Sequence, residues 1–203
     1  MKDLVRRQLA LSIATMQAVH DSDEIHDTMV EIGRLTADAM RNGKKLLVAG
    51  NGGSAADAQH LVAEFVVRLT VNRPALRAIA LTTDTSILTA TGNDFGYDAV
   101  FSRQIEALGQ EGDVFLGIST SGNSPNILLG MAEARRLGLT TIGFTGNGGG
   151  KMREACDYNV IIPSTTTMNI QESHLALEHI FCMIVERFTF GMDFDKAPQI
   201  VSE

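Results

Sequence analysis

From residue 44 onward the chain alternates short apolar runs with helical stretches, and most of the runs end in glycine, serine or threonine. The runs are KLLVAG at 45–50, LRAIAL at 76–81, DVFLGIS at 113–119, TTIGFTG at 140–146 and YNVIIP at 158–163. Each is short enough for a strand, and unbroken apolar character suits a strand buried on both faces. Helical patterns fall between them at 55–67, 97–108 and 124–137, and a long one at 168–188 closes the series. Residues 82–96 read as a turn. Strands alternating with helices form a parallel sheet covered on both sides, so the expectation is one α/β domain.

Two amphipathic helices precede it, at 2–20 and 23–41. Asp21-Ser22-Asp23 supplies the break and an N-cap, and Asn42-Gly43 supplies the stop. The chain then divides into a helical extension at 1–43 and an α/β unit at 44–203, treated as a single structural unit. The later helices suffice to cover the sheet, so the apolar sides of both leading helices are expected to meet another subunit. The nine methionines and nine phenylalanines read as core.

Charge and cysteine count narrow the function. Seventeen Lys and Arg against 24 Asp and Glu leave a net charge of −7, which argues against a nucleic-acid partner. An anionic small molecule remains open, because backbone N–H groups at a helix start hold phosphate without a cation. Two cysteines, Cys156 and Cys182, are too few for a disulfide framework or a cysteine zinc module. The first residues lack a signal-peptide run and no stretch reaches membrane length, so a soluble cytoplasmic protein is expected.

Open parallel sheets bind ligands outside the carboxyl ends of their strands, which directs attention to the segments just after each strand. GNGGSAADAQH at 50–60 joins the first strand to a helix. Its Gly50, Gly52 and Gly53 allow close backbone approach, while Asn51 and Ser54 can cap the helix or face a ligand. It is neither a dinucleotide fingerprint nor a P-loop. STSGNS at 119–124 puts the hydroxyls of Ser119, Thr120, Ser121 and Ser124 around the start of the next helix. Capping needs one hydroxyl, with Pro125 behind Ser124 at the first helical position; four hydroxyls favour a cradle for a phosphate monoester. His60 and Glu64 are four apart on one helix face, able to share a divalent metal, supply a base, or simply pair in solvent. The last helix offers Gln171, Glu172, His174, Glu178 and His179. Spacing does not choose between the pair Gln171 and His179 and the pair His174 and Glu178. Asn93-Asp94 can orient a sugar hydroxyl or begin a turn, and Arg68 reads as a solvated helix end.

Taken in order, GNGGSAADAQH, LTTDTS…GNDFGY, GISTSGNSPN, FTGNGGGKM and IQESHLALEHI resemble the sugar isomerase (SIS) domain family, most closely its phosphoheptose isomerases. The resemblance implies a three-layer α/β/α sandwich on five parallel strands, assembled as a homotetramer. It also implies conversion of sedoheptulose 7-phosphate to D-glycero-D-manno-heptose 7-phosphate. Its substrate positions fall on Asn51, Gly52, Gly53, Ser54, Glu64, Asn93, Asp94, Ser119, Thr120, Ser121, Ser124 and Gln171. It implies a zinc ion in each subunit at His60, Glu64, Gln171 and His179, and catalytic roles for Glu64 and His179, so it selects His179 over His174. One departure stands out: Asn169 occupies a position where the family often has arginine. A non-catalytic branch, sensing phosphosugars or binding a replication initiator, is the alternative; its initiator-binding members lack the carboxylate and histidine matched by Glu64 and His179.

Overall fold

The computed structural model describes residues 1–191, so the end of the expected 44–203 unit, residues 192–203, lies outside the described part. Five parallel strands form one sheet: β1 (Leu46–Gly50), β2 (Ala78–Ala80), β3 (Val114–Ser119), β4 (Thr140–Thr145) and β5 (Tyr158–Ile161). Their spatial order is β2-β1-β3-β4-β5. Along β1 the side chains alternate between faces. Leu46 and Val48 enter one core and Leu47 and Ala49 the other, and all four are fully buried. That is why the run reads as continuously apolar.

The helices are α1 (Lys2–His20), α2 (Asp23–Arg41), α3 (Gly53–Val66), α4 (Thr85–Asp94), α5 (Ser102–Leu108), α6 (Pro125–Arg136), α7 (Met152–Ala155) and α8 (Thr167–Phe190). One face of the sheet carries α2, α3 and α8, through Ile32, Leu61, Phe65, Phe181 and Val185. The other carries α5, α6 and α7, through Ile105, Ile127, Met131 and Met152. The three-layer sandwich is therefore present. Each fully buried Leu, Ile or Phe contributes about 1.5–3 kcal/mol, so these two cores dominate folding.

Three local expectations change. The turn expected at 82–96 contains α4, whose start is capped by Asp84 accepting from the Ile87 N–H at 2.9 Å. Four threonine and glycine positions inside it, Thr85, Thr89, Thr91 and Gly92, dilute the helical pattern and hide it from a periodicity reading. The helix expected at 97–108 is a 3-10 turn at Tyr97–Ala99 followed by α5. Finally, much of the apolar face of α2 is used within the chain. Ile25, Met29 and Ile32 join the core, and Gly33 packs so tightly on α8 that a Cβ there would meet Ile184 Cγ2 at 2.3 Å. By contrast α1 buries only Thr15 and Val19, with Leu4, Val5, Leu9, Leu11 and Ile13 exposed.

The caps around α2 follow the sequence. The Ser22 hydroxyl accepts from Ile25 N–H at 3.4 Å, and Asn42 ends the helix before Gly43, at φ 76°.

Candidate functional site

The strand order reverses direction between β1 and β3, so the loops leaving these neighbouring strands part to opposite sides of the sheet. The crevice between them is where an open parallel sheet takes a ligand, and both glycine- and serine-rich loops of the sequence lie there.

After β3, Ser119 is nearly buried and its Oγ lies 2.9 Å from Ser124 Oγ and 3.5 Å from Ser121 Oγ. The turn closes through Gly122 N–H to Ser119 O at 2.9 Å. Gly122 sits at φ 64°, and a Cβ there would meet Gly149 O at 2.0 Å, so only glycine fits. Ser124 occupies the N-cap of α6 with Pro125 behind it, yet its hydroxyl turns to Ser119 rather than to the helix backbone. Three of the expected hydroxyls thus converge at the positive end of a twelve-residue helix, and Thr120 stands half-buried between them in sequence. Such an arrangement suits a phosphate dianion.

After β1, Gly52 at φ 56° is the N-cap of α3. Ser54, expected as a cap, lies inside the first turn and is buried. Asn51 faces Asn126, the second residue of α6, in a reciprocal amide pair: each Nδ2 donates to the other's Oδ1, at 2.9 and 2.8 Å. The exposed Tyr97 hydroxyl donates to Asn51 Oδ1 at 3.0 Å. Asn126 and Tyr97 were not anticipated; the only signal was that Asn126 directly follows the cap and proline. Asn93 and Asp94 occupy the exposed last turn of α4, where the Asn93 amide donates to Asp94 Oδ1 at 2.7 Å.

The remaining candidates line a seam between α3 and α8. At its start the Gln171 Nε2 donates to both oxygens of Asp57, at 3.3 and 3.0 Å. Further along, His60 Nε2 and His179 Nε2 approach to 2.8 Å with their rings edge-on, and Glu64 Oε1 lies 3.6 Å from His60 Nε2. Phe65 then packs on Phe181 at 5.7 Å between ring centroids. At the far end Arg73 bonds Glu186 Oε1 at 2.8 Å with both side chains essentially buried. Its guanidinium also donates to the Glu64 and Phe65 carbonyls, at 2.7 and 2.8 Å, covering the end of α3. Neither Arg73 nor Glu186 was singled out from sequence, because the pairing joins a loop to a helix more than a hundred residues away.

His60, Glu64 and His179 present ligand atoms within 4.8 Å of one another, two imidazole nitrogens and a carboxylate oxygen. Two imidazole nitrogens closer than a van der Waals contact, with a carboxylate beside them, form a donor set that fits zinc or a similar borderline cation. His174 and Glu178 take no part in this cluster. His174 is fully buried, with Nε2 3.0 Å from the Thr145 carbonyl, and desolvation pushes its pKa down to about 4. Glu178 is equally buried, with neither oxygen hydrogen-bonded among the described residues; desolvation, with Asp57 nearby, pushes it up to about 8. Asp57 is raised as well, chiefly by burial, against the opposing pull of Gln171 and His60. Asn169, at the departure noted above, is buried and bonds Ser12 of α1 and Glu172, at 3.0 and 3.2 Å.

A doubly wound sheet with a hydroxyl-rich turn at its reversal point and a histidine–carboxylate cluster between two of its helices has the layout of small-molecule α/β enzymes. The SIS domain family profile matches residues 12–146. The phosphoheptose isomerase of Burkholderia pseudomallei (strain K96243) is 55% identical over 184 residues, spanning 89% of this chain and 93% of that protein. Among solved structures, the phosphoheptose isomerase from Neisseria gonorrhoeae superposes with a TM-score of 0.86 at 40% identity, covering 91% of this chain and 98% of that one. That from Francisella tularensis gives 0.88 at 34% identity, covering 91% and 97%. The chain belongs to the SIS domain family, in its phosphoheptose isomerase branch, and is an enzyme.

Proposed function

We propose that the chain converts sedoheptulose 7-phosphate to D-glycero-D-manno-heptose 7-phosphate, the entry to activated heptoses for surface glycans. The observation that carries this reading is the convergence of Glu64 and His179 from separate helices, in a chain that also carries a hydroxyl cradle for the phosphate. A non-catalytic sensor or adaptor has no need of such a cluster.

The reaction moves one proton between C1 and C2 of the sugar. Phosphate held at Ser119, Thr120, Ser121 and Ser124 anchors the far end, so binding energy remote from the reacting carbons orients them. Glu64 takes the C1 proton, and the electrons left behind form the enediol double bond as the C2 oxygen gains a proton from His179. Glu64 then returns its proton to C2 while His179 recovers one from the C1 hydroxyl, leaving the aldehyde at C1. Asn51, Gly52, Gly53, Ser54, Asn93, Asp94 and Gln171 are assigned to the sugar. Alternatively, His60, Glu64, Gln171 and His179 would hold a zinc ion in each subunit, which would supply a Lewis acid for the sugar oxygens; as tight ligands, Glu64 and His179 would then give up the proton-transfer roles.

The exposed apolar face of α1 supports assembly as a homotetramer. No helix among the described residues is long and apolar enough to cross a membrane. A phosphorylated sugar substrate fits a cytoplasmic enzyme. A coupled assay tests the reading. Turnover is expected on sedoheptulose 7-phosphate and not on free sedoheptulose at equal concentration, and equal rates on both would overturn it.

A further inference from the structure

Gly53, Asp57, His60 and Glu64 recur at spacings of four, three and four, so they share one face of α3, and that face runs along α8. Three of these positions already have a place in the proposed site. Asp57 does not. It is buried, it carries an acidic group into a costly environment, and its described hydrogen-bond partner is the Gln171 carboxamide.

A carboxylate only accepts hydrogen bonds, so the end of the Gln171 amide that faces Asp57 must be the nitrogen. The oxygen of the same planar group is then turned away, and among the described residues it has no hydrogen-bond donor. Gly53 holds the amide from a third side. A Cβ at that position would lie 2.4 Å from Gln171 Nε2 and 2.5 Å from Oε1, so the space a side chain would fill is occupied by the amide.

We propose that Asp57 is a positioning residue, gripping Gln171 by its amide nitrogen so that the amide oxygen is the atom offered to a metal ion or a sugar hydroxyl. This rests on the reading of Gln171 as a site residue. A neutral asparagine at position 57 can both donate and accept, so it would tie α3 to α8 equally well and leave the amide free to turn over. The negative charge is needed for orientation, not for holding the helices together.

The test compares wild type, Asp57→Asn, Gly53→Ala, Gln171→Ala and the double variant Asp57→Asn/Gln171→Ala. Two readouts are used: turnover of sedoheptulose 7-phosphate, and zinc affinity of the metal-free protein by competition with a chromophoric chelator. Asp57→Asn is expected to weaken at least one of them about 10-fold to 100-fold, the range for losing a group that orients a ligand. Gly53→Ala evicts the amide while keeping the Asp57 charge, and should reproduce that loss even where Asp57→Asn folds poorly. In the Gln171→Ala background Asp57→Asn should add nothing. Wild-type values in Asp57→Asn, or the same loss with and without Gln171, would overturn the proposal. A wild type that neither turns over substrate nor binds zinc would instead sink the functional reading. Orientation is then read directly from side-chain amide NMR: Gln171 N–H signals protected from exchange in wild type and not in Asp57→Asn support the grip, and unprotected wild-type signals refute it.

Discussion

The cradle after β3 and the seam between α3 and α8 are the two halves of the proposed site and are built on opposite principles. The cradle comes from six consecutive residues whose hydroxyls bond one another, with a positive-φ glycine and a proline-started helix fixing the turn. The seam brings together residues more than a hundred positions apart, and its cluster exists only while α3 and α8 keep their register. A local turn can hold a ligand's handle with little help from the rest of the fold. Groups that must act together on a reacting bond need two rigid elements locked against each other, and here Arg73 and Glu186 are the lock.

Breaking that lock should produce the largest effect. Arg73→Met leaves the buried Glu186 carboxylate without its counter-charge, held by the Thr70 hydroxyl and the Leu69 N–H, and removes the guanidinium from the Glu64 and Phe65 carbonyls, for a cost of about 3–5 kcal/mol. Urea unfolding with the metal removed measures it, and a loss below about 1 kcal/mol, the size of an exposed pair, would show that the clamp is dispensable. Next, Glu64→Gln keeps the shape of the seam but removes the charge. Turnover should fall at least ~10²-fold, while affinity for the phosphosugar, measured by calorimetry, stays close to wild type because the cradle is intact. Near-normal turnover would remove Glu64 from its assigned role.

The two histidines of α8 sharpen the contrast further. His179→Ala should impair turnover with little change in melting temperature. His174→Ala should do the reverse: it opens a cavity beside Phe144 and removes one of the two groups bonded to the Thr145 carbonyl, which keeps the Ile162 N–H, at about 2–4 kcal/mol, with turnover per folded molecule retained. A reversed ranking would mean that the wrong face of α8 has been assigned to the site. The smallest effect belongs to the cradle. Ser124→Ala removes one of several hydroxyls, so KM for the phosphorylated sugar should rise roughly tenfold, as for one hydrogen bond to a charged group, with kcat largely kept. A fall in kcat with unchanged KM would indicate that the cradle does not hold the phosphate.

Much of this was legible in the sequence. Five apolar runs mark five strands and all five are found, with β1 and β3 buried along their whole length and β2 and β5 only in part. The serine cluster at 119–124 was readable because turn, cap and hydroxyls are adjacent in the chain. α4 was missed because its threonines and glycine weaken the helical pattern, although Asp84 marked its start. Asn93 and Asp94 were expected in a loop for the same reason and instead end that helix.

The amino-acid sequence by itself determined the alternation of strands and helices, the hydroxyl-rich turn, and the pairs of residues that share each helix face. Tertiary structure decided which face meets what. α8 buries residues on much of its circumference, against α2, α3 and the sheet, so its periodicity alone leaves Gln171 and His179 on equal terms with His174 and Glu178. Packing resolves the choice: Gln171 and His179 meet Asp57 and His60 of α3, His174 is buried against the Thr145 carbonyl of β4, and Glu178 is buried near Asp57, where desolvation pushes the histidine down to about 4 and the glutamic acid up to about 8. Helical spacing records which side chains point together. Only the neighbouring elements fix the direction in which they point.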